Sequence, residues 1–265
     1  MLTVTFIRHG QSEDNVKFIW AGWKDASLSE LGIKQATALG QAFAKSNVKI
    51  DHIYASDLLR AHATGQAVLK YHESPKPPFT SDERLREQHF GVAEGKPWTL
   101  ERPPNKTLEE LIKEGIYPVI TDRSVGFPEG ESLNDLARRA EEAIADCLVP
   151  HLAAEGDIHI AIASHGLCIS ELIAALLRLD PDSRRDISYA GLLNTAWTRA
   201  IVSLKDASRT GPINSANPPP LTVQITDVNN TDHLASLELE GTEDPAAVDE
   251  DTATARAFFA GKAVA

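Results

Sequence analysis

The first apolar run of the chain stops at Arg8-His9-Gly10, inside the stretch "FIRHGQSEDN". A strand that ends on two potential cations is poised to hold an anion, although an ordinary polar strand end reads the same way. A second junction of this kind is "ASHG", where Ser164-His165-Gly166 passes directly into a helical pattern. In open α/β sheets, ligands bind beyond the carboxyl ends of the strands. A helix that starts there offers free backbone N–H groups to an anion. Two histidines from two strands are therefore expected to converge on one anion.

The stretch "ASDLLRA" adds Arg60, about one helical turn past another strand end. A guanidinium binds phosphate oxygens bidentately and stays charged at any working pH. Arg8, Arg60 and His165 would offset most of the charge of a phosphate dianion. That leaves His9 to attack phosphorus as a neutral imidazole. The departing alkoxide then needs a proton, and "ERLREQHFG" supplies Glu87. A carboxyl beside the bound phosphate can deliver that proton. It can later take one from the water that hydrolyses a phosphohistidine. Taken singly, His165 reads equally as a satisfied strand-end histidine, Arg60 as a surface cation and Glu87 as a solvated carboxylate. Their joint placement at strand ends carries the functional reading.

The elements that must position these residues are legible in outline. "LTVTFI" is a short β-branched run and reads as a buried strand. "SELGIKQATALGQAFAKS" places Ala36, Leu39, Gly40 and Phe43 on one helical face, with Ser29 as N-cap. "IDHIYASD" reads as a second strand and "LLRAHATGQAVLKYH" as the helix after it. From about Glu73 to Glu131 the chain is rich in proline, glycine and charge. An irregular insertion or cap is expected there, with a short helix near Leu108 to Glu114. "ESLNDLARRAEEAIADCLVPHL" is the clearest helix, with Ser132 and Asp135 as a capping-box pair. Its buried stripe should be Leu133, Leu136, Ala137, Ala140, Ile144 and Cys147, with Arg138-Arg139 as a surface pair.

"DIHIAIASHG" is apolar on both faces, as a central parallel strand must be. A helix over "LCISELIAALLRL" follows. "TAWTRAIVSL" and "LTVQITDV" close the sheet, the second with Leu221, Val223 and Ile225 inward, and "SRTGPINSANPPP" is a loop between them. This alternation indicates an α/β fold, a three-layer α/β/α sandwich on a mostly parallel central sheet. One domain over residues 1–236 with the insertion at 73–131 as cap, then an acidic tail at 237–265, is the expected organisation. Between Glu238 and Asp251 there are seven acidic residues and no basic one.

The formal net charge is -12. So negative a surface repels nucleic acid and anionic membranes, so neither is an expected partner. Cys147 and Cys168 both fall in apolar helical patterns and read as reduced core residues of a cytoplasmic protein. No signal-peptide pattern opens the chain, and no apolar run is long enough to span a bilayer. His52, His62, His72, His89, His151, His159 and His233 show no metal-ligand spacing, so no metal site is assigned. Trp20, Trp23 and Trp98 could line a pocket mouth or simply pack. Oligomeric state is not legible, and a homodimer stays open.

The stretches "RHGQSEDN", "GWKDASLSELGIKQA", "YASDLLRA", "RLREQHFGVAEGK", "GESL" and "ASHG" together resemble the histidine phosphatase superfamily, in its phosphoglycerate-mutase-like branch. The resemblance spans roughly the first 200 residues of the sequence. It implies His9 as the phosphorylated nucleophile, with Arg8, Arg60 and His165 completing the phosphate pocket and Glu87 as proton donor and acceptor. Asn15 and Gly22 are implied as further substrate contacts, and Gln11 and Gly166 are carried with them as candidates. The family uses no metal or organic cofactor.

The mutases carry an arginine where this chain has Gln88, a tyrosine where it has Phe90, and a paired-arginine segment in the insertion. Here Arg102, Lys106, Lys113 and Arg123 are scattered. These departures favour hydrolysis over transfer. "LREQHFGVAEGK", "LNTAW" and "VQITDVNNTDHL" are similar to the fructose-2,6-bisphosphatase-like phosphatases, including the glycolysis-and-apoptosis-regulator type. That implies a sugar phosphate, a sugar bisphosphate or a small phosphorylated acid as substrate. A mutase-type phosphoryl transfer is the alternative. A catalytically silent phospho-ligand binder is a third reading, and such relatives would be expected to have lost His9, Glu87 or His165.

Overall fold

The computed structural model describes residues 1–46, 48–100, 102–206 and 213–238. Strand β1 (Leu2–Arg8) is buried along most of its length, as a strand with two covered faces should be. Leu2, Val4 and Phe6 enter one core and Ile7 enters another. Helix α1 (Glu13–Val16) is one turn, capped by a reciprocal Ser12–Asn15 box. Helix α2 (Glu30–Lys45) begins at Ser29, whose hydroxyl accepts from the Gly32 N–H as its place in the sequence predicts. Strand β2 (His52–Ala55) leads into α3 (Leu59–Tyr71) and β3 (Phe79–Ser81). The insertion then holds β4 (Trp98–Thr99), α4 (Leu108–Lys113) and β5 (Tyr117–Pro118). Helix α5 (Leu133–Cys147), β6 (Ile158–Ser164), α6 (Gly166–Arg178), β7 (Trp197–Leu204), β8 (Leu221–Asn230) and α7 (Ala235–Glu238) complete the order.

The main sheet has the order β3-β2-β6-β1-β7-β8. From β3 to β1 every pairing is parallel, and β7 runs antiparallel to both of its neighbours. Helices α2 and α3 cover one face. There Leu39, Phe43 and Val68 pack on Ile7, Ile53 and Ala161. Helices α5 and α6 cover the other, with Leu136, Ile144, Leu172 and Ile173 against Val4, Phe6, Ile160 and Ile162. The three layers and the mostly parallel sheet agree with the pattern read from the sequence.

Several local readings are refined. In α5 the buried stripe is Leu136, Ala140, Ala143, Ile144 and Cys147, while Leu133 is partly buried against the same core. Arg139 is not a surface residue. Its side chain is 13% exposed and reaches inward. Phe79–Ser81, inside the stretch expected to be irregular, is the edge strand of the main sheet. The rest of the insertion has a small core of its own, with Trp20, Phe90 and Phe127 in contact around Ala93 and Val119. Trp20 therefore packs, with its indole N–H on the Tyr117 carbonyl.

Leu237, the first residue of the expected tail, is buried with Ala38 and Leu234. The remaining acidic stretch from 239 lies outside the described residues, as do 207–212 of the β7–β8 connection. Both cysteines are buried free thiols. Among the described residues no helix is long and apolar enough to cross a membrane. Nor is any group of three or more His, Cys, Asp or Glu side chains there placed to hold a metal ion.

Candidate active site

Register brings the two strand ends together. β1 and β6 are parallel neighbours, with Arg8 opposite Ser164. Each strand therefore releases its histidine at the same level, and the His9 N–H donates to the Ser164 carbonyl at 3.0 Å. The His9 and His165 ring centroids lie 5.0 Å apart. Both residues are buried, at 4% and 0% exposure.

The hydrogen bonds fix how His9 is presented. Its Nδ1 lies 2.7 Å from the Gly10 carbonyl oxygen, which can only accept, so Nδ1 carries the proton. The Nε2 lone pair is then the free one, which is the form a nucleophile needs. Burial holds His9 well below the ordinary imidazole range, with Arg60 and Arg8 acting in the same direction. Only the Gly10 carbonyl opposes them. His9 is thus a neutral imidazole at physiological pH. Its main-chain oxygen accepts from Thr195 N–H at 3.2 Å and from Asn194 Nδ2 at 3.1 Å, tying the strand end to the loop before β7.

His165 is neutral for similar reasons: burial first, then Arg60, His9, Arg8 and Arg139. Its Nε2 is 3.0 Å from the Ser56 hydroxyl. That hydroxyl oxygen already accepts from Leu58 N–H, so its own proton is available to Nε2. When that hydroxyl donates, Nδ1 bears the proton of the neutral ring, and among the described residues this buried nitrogen has no partner. Arg60 Nε is likewise buried without a partner. An unmatched buried donor costs about 1–3 kcal/mol. Two of them beside His9 suit a site built to receive an anion.

Arg60 stands in the first turn of α3 with 1% exposure. Nη2 donates to the Gly22 carbonyl at 2.7 Å and Nη1 to the Lys24 carbonyl at 3.0 Å. Gly22 has φ +50°, and a Cβ there would meet Glu94 Oε1 at 2.1 Å. Only glycine therefore presents this carbonyl to Arg60 without strain. Arg8 is anchored through Nη1 on the Leu192 carbonyl. Gly10 lies so close to α2 that a Cβ would meet the Gly32 oxygen at 2.6 Å.

Glu87 departs from the expected arrangement. Two N–H groups in the first turn of α6, those of Leu167 and Cys168, are not open to an anion; the Glu87 carboxylate takes them. Oε2 accepts from Leu167 N–H at 3.2 Å. Oε1 accepts from Cys168 N–H at 3.1 Å and from Gln88 N–H at 2.9 Å. Gly166 lies between this carboxylate and Arg8. A Cβ on it would be 3.8 Å from Arg8 Nε and 3.9 Å from Glu87 Oε2. Arg8, His9, Arg60, Glu87, His165 and Gly166 are thus brought to one end of the sheet.

The other candidates have structural duties. Asn15 Oδ1 accepts from Ser12 N–H at 3.0 Å and lies 3.4 Å from Asn194 Nδ2. Gln11 Oε1 accepts from the Ser29 hydroxyl at 2.7 Å, bracing the start of α2. Trp23 donates its indole N–H to the Glu87 carbonyl at 2.8 Å. Ser56 and Arg139 were not singled out as site residues by sequence reasoning, and Trp23 was read only as lining a pocket mouth or packing. Each acts on a residue distant in the chain, and no local spacing signals that.

The family model "Histidine phosphatase superfamily (branch 1)" matches residues 4–207. The chain belongs to this superfamily. A 2,3-bisphosphoglycerate-dependent phosphoglycerate mutase of Brucella melitensis is 32% identical over 180 residues, 68% of this chain and 84% of the relative. Among solved structures, a mycobacterial protein described as hydrolase 1 has 25% identity and a TM-score of 0.64, over 86% of this chain and 98% of the other. A phosphoserine phosphatase from Entamoeba histolytica, in complex with 3-phosphoglyceric acid, has 25% identity and a TM-score of 0.58. That match covers 88% of this chain and 100% of the other. Both mutases and phosphatases thus stand among the relatives, and a small phosphorylated substrate fits the family.

Proposed function

We propose that this chain is a phosphoric monoester hydrolase. It removes phosphate from small phosphorylated metabolites, sugar phosphates or bisphosphates, through a phosphohistidine and without a metal. One observation carries the reading: a buried neutral His9 with Nε2 free, set beside Arg8, Arg60 and His165. His9 Nε2 attacks phosphorus, and the bond to the ester oxygen breaks. Glu87 supplies the proton to the departing alkoxide. Water then attacks the phosphohistidine, Glu87 takes its proton, and inorganic phosphate leaves. Arg8, Arg60 and His165 hold the phosphoryl oxygens throughout, and Asn15, Gly22, Gln11 and Gly166 shape the entrance.

Two residues support hydrolysis over transfer. Gln88 is 7% exposed and donates its amide to the Glu131 carbonyl at 2.7 Å, so it offers the pocket no cation. Phe90 is buried against Trp20 and has no hydroxyl to offer. The mutase reading is favoured by the likeness to the Brucella enzyme. Phosphate release measured with 2- and 3-phosphoglycerate separates the two, because a mutase interconverts them and releases little. The test of the main reading is His9→Ala with p-nitrophenyl phosphate. Turnover should be lost, and unchanged turnover would remove His9 from its role. A panel of sugar phosphates, bisphosphates and phosphoglycerates then identifies the substrate.

A further inference from the structure

We infer that Arg139, on α5, is a positioning residue for the proton transfer by Glu87. The inference rests on the hydrolase reading above. A guanidinium has five N–H donors in a rigid fork. All are used here. Nη1 donates to the carbonyls of Arg84 and Arg86, each at 2.8 Å. Nη2 donates to the Glu87 carbonyl at 3.0 Å and to Glu131 Oε2 at 2.7 Å. Nε donates to Glu131 Oε1 at 3.0 Å. Three of the five acceptors are main-chain oxygens of the short segment that carries Glu87.

Other contacts hold the segment besides Arg139. The Ser164 hydroxyl donates to the Leu85 carbonyl at 2.7 Å, Arg86 pairs with Asp57, and the Glu87 carboxylate sits on the start of α6. A single 3₁₀ turn, Glu83–Leu85, precedes Glu87, and no strand or helix contains it. Trp23 donates to the same Glu87 carbonyl from the opposite side of the sequence, at 2.8 Å. Its indole ring lies 4.8 Å from the Arg86 guanidinium and 5.9 Å from that of Arg139. Glu131, which balances the Arg139 charge, also accepts from His89 N–H at 3.0 Å. The main chain on both sides of Glu87 is therefore clamped to α5 and to the residue just before its cap.

A carboxyl that must reach the leaving oxygen depends on where its Cα sits. Misplacing a reacting group by about 1 Å can cost on the order of 10²-fold in rate. None of the five Arg139 donors goes to the Glu87 carboxylate. Arg139 acts through the Glu87 carbonyl. A purely structural role, filling buried carbonyls with donors, would damage turnover of every substrate alike. A positioning role damages those substrates whose leaving group needs a proton.

The experiment compares kcat/KM for p-nitrophenyl phosphate, whose leaving group departs without a proton, with kcat/KM for the best alkyl phosphate of the substrate panel. This parameter reports only the steps through formation of the phosphohistidine, so later hydrolysis does not blur it. For Arg139→Met the alkyl value should fall by about 10- to 100-fold, and the aryl value by less than about threefold. Glu87→Gln should show the same selectivity, and Glu87→Gln with Arg139→Met should be no worse than Glu87→Gln alone. Equal losses on both substrates, or effects that multiply, overturn the inference. Should Arg139→Met not fold, Arg139→Lys and Trp23→Phe each remove a donor to the Glu87 carbonyl while keeping charge or ring. They must show the same selectivity. His9→Ala is measured alongside. Turnover that survives in His9→Ala overturns the hydrolase reading itself, whereas lost turnover with unselective Arg139 variants overturns this inference alone.

Discussion

Acid should destabilise this protein before it reaches the carboxylate range, and two histidines away from the reacting pair supply a large share of the effect. Burial holds both His159 and His233 down to about 4 from an ordinary value of 6.5. At His159, Arg199 lowers it further and Asp51 opposes. At His233, Asp232 opposes. The contacts agree. Arg199 Nε donates to the Thr5 hydroxyl at 3.0 Å, so that hydroxyl gives its own proton to His159 Nε2, 2.8 Å away. Protonating His159 would force this bond to reverse and place a cation beside Arg199. His233 Nε2 lies 2.9 Å from the Thr195 hydroxyl in a buried pair.

The sign follows from which state binds protons. Between about 6.5 and 4 the unfolded chain has protonated these histidines and the folded chain has not. Stability is therefore fully present above 6.5 and falls as pH drops through that window. At pH 5 the loss is about 2 kcal/mol for each group, or about 4 kcal/mol together. Domains are stable by about 5–15 kcal/mol, so this is a large share. His9 and His165 shift in the same direction and add to it. Urea unfolding at fixed ionic strength, followed by the fluorescence of the four tryptophans, measures it at pH 8 and pH 5. The double variant His159→Gln/His233→Gln should lose about 4 kcal/mol less between those pH values than the parent. A loss equal to the parent's would refute the argument.

Other outcomes follow from the site. After correction for titration of the substrate, kcat/KM for p-nitrophenyl phosphate should show no acid limb centred near 6.5, because His9 stays neutral well below it; a limb there would contradict the burial of His9. Gly22→Ala should cost at least about 1–2 kcal/mol from its φ of +50°. It should also lower kcat/KM by about tenfold, since the Gly22 carbonyl holds Arg60; thermal melts and kinetics check both. Arg123→Ala removes the partner, at 2.9 Å, of the buried Glu171 on α6. It should cost about 1–3 kcal/mol in urea unfolding, partly restored by adding Glu171→Gln.

The frame was legible because its elements are long and periodic. Leu39 and Phe43 in α2, or Ile160 and Ile162 in β6, repeat at the spacing their element requires. Ser29 and Ser132 announced two helix starts through the chemistry of their hydroxyls. Strands of two or three residues, such as β3 and β4, are too short to carry any period. Arg139 was misread for a related reason. It sits at the margin of the α5 stripe, next to Ala140, where helical position fits either burial or exposure. What decides is a set of carbonyls more than fifty residues earlier in the chain, at Arg84, Arg86 and Glu87. The start of α6 was expected to be free for an anion, because nothing local reveals that a glutamate from another segment caps it.

The way Glu87 is held has a consequence for how such an enzyme can change. The residue belongs in sequence to the insertion, yet its attachments are to α5, to α6 and to Trp23. The remainder of the insertion gathers around a separate aromatic nucleus of Trp20, Phe90 and Phe127. Loops beyond that nucleus can lengthen, shorten or exchange side chains while the carboxyl keeps its address relative to His9. Selectivity and reactivity can then drift separately, and one sheet end can serve successive substrates without being rebuilt.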